Sequence, residues 1–133
     1  MTNRASTDLA ARRVLAVDDD PSLLGLIETL LELAGCRVTT AANGQQALDA
    51  AAADPPDFMI LDLNMPVMDG FGVLQTLAAR GALPRTLVLT ARNAAADVRR
   101  AKSLGAADYL TKPFSNKVLL ARVQALLAAQ RVA

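Results

Sequence analysis

Histidine is absent from the 133-residue chain. That removes Ser-His-Asp triads, imidazole metal ligands and a self-formed phosphohistidine from the possible chemistries. Tryptophan is also absent, and only three Phe and one Tyr are present, so a core has to be built from Leu, Val, Ile, Ala and Met. The single cysteine, Cys36, cannot close an internal disulfide. Its apolar context predicts a buried free thiol, which suits a cytoplasmic setting. Neither sign of charge is in excess: 14 Lys and Arg stand against 13 Asp and Glu, a net charge of +1. No direct nucleic-acid partner is expected, and no anionic membrane. Apolar runs are broken by charge well before spanning length, so no membrane insertion is expected. The first twelve residues carry Arg4 and Asp8 and lack the apolar stretch of a signal peptide.

What is present is a chain 53% hydrophobic, enough to exclude disorder and, at this length, to build one core. A flexible tail over residues 1–12 and a single domain over 13–133 are expected. Short apolar runs alternate with longer helical patterns. Residues 14–17 are a first run, stopped by Asp18-Asp19-Asp20; Asp20 is the expected N-cap of a helix with Pro21 at its first position. Residues 36–41 alternate as an edge strand would. Asn43-Gly44 then leads to an Ala-rich helix ending before Pro55-Pro56. Residues 58–61 are a second wholly apolar run, followed by a loop and a helix from Phe71. Residues 86–89, a weak helix over 94–104, a short strand at 108–110 and a helix from about Asn116 complete the pattern. Strands apolar on both faces in strict alternation with helices predict an α/β fold with a single, open five-stranded parallel sheet, doubly wound by helices on both faces.

Ligands in such sheets bind beyond the carboxyl ends of the strands. The residues at those ends are Asp18, Asp19 and Asp20 after the first run, Asp62 after 58–61, Thr90 after 86–89, and Lys112 after the last. Converging carboxylates repel one another unless a cation is present. Oxygen donors without His or Cys suit a hard ion, and Mg²⁺ fits best. Asp62 can serve as a metal ligand or as a nucleophile toward phosphorus; Lys112 and Thr90 supply a positive charge and a hydroxyl for phosphoryl oxygens.

The strings Val17-Asp18-Asp19-Asp20-Pro21, Leu61-Asp62-Leu63-Asn64-Met65-Pro66-Val67-Met68-Asp69-Gly70, Leu89-Thr90-Ala91 and Gly105-Ala106-Ala107-Asp108-Tyr109-Leu110-Thr111-Lys112-Pro113-Phe114 together closely resemble the response-regulator receiver domain of two-component signalling. The resemblance covers most of the chain. It implies a flavodoxin-like (βα)5 fold with strand order 2-1-3-4-5 and a domain that catalyses only its own phosphorylation and dephosphorylation. By the same resemblance, Asp62 is the phosphoacceptor, Asp19 a direct Mg²⁺ ligand, Asp18 a mostly water-mediated one, and the Asn64 backbone carbonyl a further contact. Lys112 resembles the phosphoryl-binding lysine, with a cis peptide before Pro113, and Thr90 and Tyr109 the switch pair. The implied partners are a sensor histidine kinase or histidine phosphotransfer protein upstream and an effector protein or output domain downstream. Asn64 and Arg92 hold the positions that tune phosphoryl lifetime; the long Arg92 side chain can shield the phosphoryl group or lie in solvent, and solvent is the expectation. Two other readings are a metal-dependent phosphohydrolase with Asp62 as nucleophile and a receiver-like scaffold that works without phosphorylation.

Overall fold

The computed structural model describes residues 9–129. Ten elements alternate: β1 (Arg13–Val17), α1 (Pro21–Leu33), β2 (Arg37–Ala41), α2 (Gly44–Ala53), β3 (Phe58–Leu61), α3 (Gly70–Ala79), β4 (Arg85–Thr90), α4 (Ala95–Ser103), β5 (Asp108–Thr111) and α5 (Asn116–Ala129). The five strands form one parallel sheet in the order β2-β1-β3-β4-β5. This is the flavodoxin-like architecture and order that the resemblance implied. Among the described residues, no helix is long and apolar enough to cross a membrane.

The alternation of side chains along each strand explains why the runs are apolar throughout. Val14 and Ala16 of β1, Phe58 and Ile60 of β3, and Leu87 and Leu89 of β4 pack into one layer with Ile27 and Leu31 of α1 and Leu119 and Val123 of α5. Their neighbours Leu15, Val17, Met59, Leu61 and Val88 point the other way, onto Ala47 and Leu48 of α2, Leu74 and Leu77 of α3 and Ala101 of α4. β2 lies at the sheet edge with mostly exposed residues, as its alternating sequence suggested.

The helix starts follow from their caps. Asp20 accepts from the amides of Ser22 and Leu23, Asn43 from Gln46 and Asp69 from Gly72. α4 is the exception: Ala94 at its N-cap makes no side-chain bond, and Ala101 is its one buried residue. Gly35 and Gly105 close α1 and α4 at φ of +99° and +110°, a region where a β-carbon is strained.

The expected tail falls partly outside the described residues, since residues 1–8 are not among them. Residues 9–12, however, are docked. Leu9 is buried, Ala11 donates to the Gly35 carbonyl at 2.8 Å, and the Arg37 amide donates to the Arg12 carbonyl at 2.8 Å. The packed chain therefore begins ahead of the boundary at residue 13.

Leu9 also explains Cys36. The buried thiol donates to the Leu9 carbonyl at 3.3 Å, and burial pushes its pKa up from 9.0 to about 11. The native thiol keeps its proton where an unfolded one loses it, so this group's contribution to stability falls as pH rises from 9.0 to about 11. Iodoacetamide at neutral pH is expected to modify native Cys36 at least about a hundredfold more slowly than the urea-unfolded chain. Equal rates, read by mass spectrometry, would show that the thiol is not sequestered.

Candidate functional site

Asp18 and Asp62 directly follow the central strands β1 and β3, which pair in parallel from Val14 with Phe58 to Val17 with Leu61. That register brings the two acids side by side. Carboxylate oxygens of Asp18, Asp19 and Asp62 all lie within 4.8 Å of one another. Asp18 and Asp62 are buried, Asp19 exposed. Thr90, at the end of β4, is fully buried, and its carbonyl accepts from the Lys112 amide at 2.8 Å. This bond fixes where the chain leaves β5, so the Lys112 side chain reaches back across the strand ends. Its Nζ lies 2.7 Å from Asp18 Oδ2 and 3.3 Å from Asp62 Oδ2. The Lys112–Pro113 peptide is cis.

The electrostatics show a cluster short of positive charge. Burial raises the Asp18 pKa above its ordinary value even though hydrogen bonds from Lys112 and the Asp20 amide oppose the rise. Burial also pulls Lys112 down, but the hydrogen bond to Asp18 and the charge of Asp62 outweigh it, and its pKa is raised. The difference is one of count: the ammonium faces two carboxylates, whereas Asp18 shares one ammonium with its neighbour. Three carboxylates against one lysine, with oxygen the only donor type, form a set that accepts a hard divalent cation.

Two further expected residues border this cluster. The Asn64 amide donates to Asp62 Oδ1 at 3.2 Å, so the residue after Leu63 already orients the carboxylate. Tyr109 is half-buried, and its hydroxyl donates to the Arg92 carbonyl at 2.8 Å. Burial raises its pKa, with Asp97 the next cause. Of the seven residues named from sequence, Asp18, Asp19, Asp62, Asn64, Thr90 and Lys112 lie at the carboxyl edge of the sheet or on the connections leaving it, while Tyr109 lies within β5 opposite Val88.

Residues 14–124 match the response regulator receiver domain. The chain belongs to that family. This receiver is 44% identical over 121 residues to the transcriptional regulatory protein PrrA of Mycobacterium tuberculosis, covering 91% of this chain and 52% of PrrA. It is 38% identical over 122 residues to the alkaline phosphatase synthesis transcriptional regulatory protein PhoP of Bacillus subtilis, covering 92% and 51%. The chain therefore spans about half the length of these relatives. Among solved structures it is similar to Vibrio cholerae chemotaxis protein CheY4, with a TM-score of 0.83 and 35% identity over 88% of this chain and 99% of that one.

One residue of the receiver is more constrained than the sequence reading expected. Arg92 is exposed, as expected, but its guanidinium is tethered at the surface instead of free. Its Nε donates to Asn64 Oδ1 at 2.6 Å, its Nη1 to Asp97 Oδ1 at 3.1 Å, and its guanidinium lies 5.7 Å from the Phe71 ring centroid. Arg100 of α4 stacks on the same ring at 4.1 Å. Asp97 and Phe71 were not singled out in the sequence. The available signal was a charge pair five positions apart across a helix start, which is too common to carry weight.

The loop after Asp62 depends on close backbone approach. A β-carbon at Gly70 would lie 2.8 Å from Leu63 Cα and closer still to the Asp62 carbonyl oxygen. Neither backbone atom can yield without moving the acceptor. Gly70→Ala is expected to cost about 2–3 kcal/mol of stability. A urea midpoint equal to wild type would show that the loop can relax.

Proposed function

We propose that this receiver accepts a phosphoryl group on Asp62 from a phosphohistidine of a sensor kinase or histidine phosphotransfer protein. A change in its binding surface then passes the signal to a downstream effector or output domain. The observation that carries this reading is the meeting of Asp18, Asp19 and Asp62 within 4.8 Å, with Lys112 Nζ 2.7 and 3.3 Å from two of them. In the transfer, an Asp62 oxygen forms a bond to phosphorus as the phosphorus–nitrogen bond breaks, and the bonding pair returns to the imidazole. Asn64, through its amide, orients the attacking carboxylate. Lys112 holds one phosphoryl oxygen, and the Thr90 hydroxyl donates to another. Asp18, Asp19, Asp62 and the Asn64 carbonyl would hold Mg²⁺, which supplies charge neutralisation at the phosphoryl oxygens when bound.

The acquired group brings nearly two negative charges and three acceptor oxygens to one point. Movement of Thr90 toward it changes the space beside the Tyr109 ring, and the face made by α4, β5 and α5 changes with it. A differential of a few kcal/mol suffices to bias such an equilibrium. With acetyl phosphate and Mg²⁺, the intact protein is expected to gain the mass of one phosphoryl group, and without Mg²⁺ to gain almost none. A protein that consumes the donor catalytically and never carries the group would be a phosphohydrolase instead. One that does neither would be a scaffold.

A further inference from the structure

Arg92 joins the loop after β3, the end of β4, β5 and the start of α4. Its Nε binds the amide oxygen of Asn64, whose backbone amide binds Asp62. Its own amide donates to Thr90 Oγ1 at 3.4 Å, and its carbonyl accepts from Tyr109. On the far side, Nη1 pairs with Asp97 in the first turn of α4. That helix has little else to fix its start, because its N-cap makes no side-chain bond and Ala101 is its only buried residue.

We propose that Asp97 is a positioning residue that competes with the phosphoryl group on Asp62 for the Arg92 guanidinium. Without the phosphoryl group, Asp97 holds the guanidinium over Phe71 and thereby pins the first turn of α4. When Asp62 is phosphorylated, the guanidinium leaves Asp97 for phosphoryl oxygens, covers them, and releases that turn. The inference rests on the phosphoacceptor role given to Asp62 above.

The competition is unequal for a physical reason. The Arg92–Asp97 pair is part-exposed, with side chains 41% and 23% accessible, and such pairs are weak. A phosphoryl group offers greater charge and several acceptor oxygens for the planar fork of guanidinium donors. The distance to be covered is short, because Arg92 already touches the residue whose amide binds the Asp62 carboxylate. The half-buried Tyr109 hydroxyl senses both Arg92 and Asp97 charges, so it lies where the exchange is felt.

Phosphoryl decay in Mg²⁺ buffer, after removal of acetyl phosphate, tests this in a double-mutant cycle. Asp97→Asn frees the guanidinium for the phosphoryl group and is expected to lengthen the half-life about threefold or more, while Asp97→Glu stays near wild type. Arg92→Ala is expected to shorten it, and adding Asp97→Asn to Arg92→Ala is expected to change nothing further. Tyr109 is the one tyrosine of a chain without tryptophan, so its fluorescence reports the site directly. The emission of unphosphorylated Asp97→Asn is expected to move toward that of wild type loaded with beryllofluoride and Mg²⁺. An Asp97→Asn effect of the same factor with and without Arg92, or no effect at all, overturns the proposal while leaving the phosphoacceptor role standing. Failure of wild type to take up the phosphoryl group overturns both.

Discussion

Asp62→Asn is expected to gain no phosphoryl mass from acetyl phosphate and Mg²⁺ under conditions that label wild type fully. The substitution keeps the shape of a side chain that is 5% exposed and replaces a charged oxygen nucleophile with a neutral amide. Uptake should fall at least about a hundredfold, which corresponds to roughly 3 kcal/mol or more on the barrier. The nearly isosteric change leaves Lys112 its shorter contact, at 2.7 Å to Asp18, so the fold should persist. Full mass gain in Asp62→Asn would mean that another side chain accepts the group. Lys112→Ala is the companion case. It removes the one ammonium from three carboxylates, so Mg²⁺ affinity should hold or rise while the phosphorylation-dependent response is lost.

The second large effect concerns the cation. Asp19→Ala is expected to weaken Mg²⁺ binding at least about tenfold, and Asp18→Ala less. The geometry supports that ranking. Asp18 has both oxygens engaged, Oδ2 by Lys112 at 2.7 Å and Oδ1 by the Asp20 amide at 2.9 Å. Asp19 is exposed, and its carboxylate makes no ion pair among the described residues. An arriving ion therefore meets Asp19 without displacing a protein partner. Equal affinities for wild type and Asp19→Ala in a calorimetric titration would remove Asp19 from the ligand set.

Alternation and strand-end chemistry were legible in the sequence because each rests on local rules. Apolar runs such as residues 58–61 are dictated by burial on both faces, and Asp20, Asn43 and Asp69 mark helix starts through their caps. Strand order is different. No periodicity says that β1 lies between β2 and β3, and the order was available only by resemblance. Two features escaped. Leu9 is an isolated apolar residue in a polar stretch, so it has no period to announce that it packs against Cys36. The direction of the Arg92 side chain is set by Asn64, Asp97 and Phe71, residues 28, 5 and 21 positions away, which meet it only in three dimensions. Long cationic side chains have many rotamers, and sequence spacing does not choose among them.

The link from Lys112 to Asp18 spans 94 residues, and the link from Lys112 to Asp62 spans 50. During synthesis the two acids emerge early, but the lysine that completes their site is made late, and α5, whose Leu119 and Val123 close one core layer, follows it. A ribosome-bound chain that stops short of β5 carries the carboxylates without their ammonium and with an unfinished sheet. The three-dimensional site is thus complete only once β5 and α5 have joined the sheet, however early its acids were made.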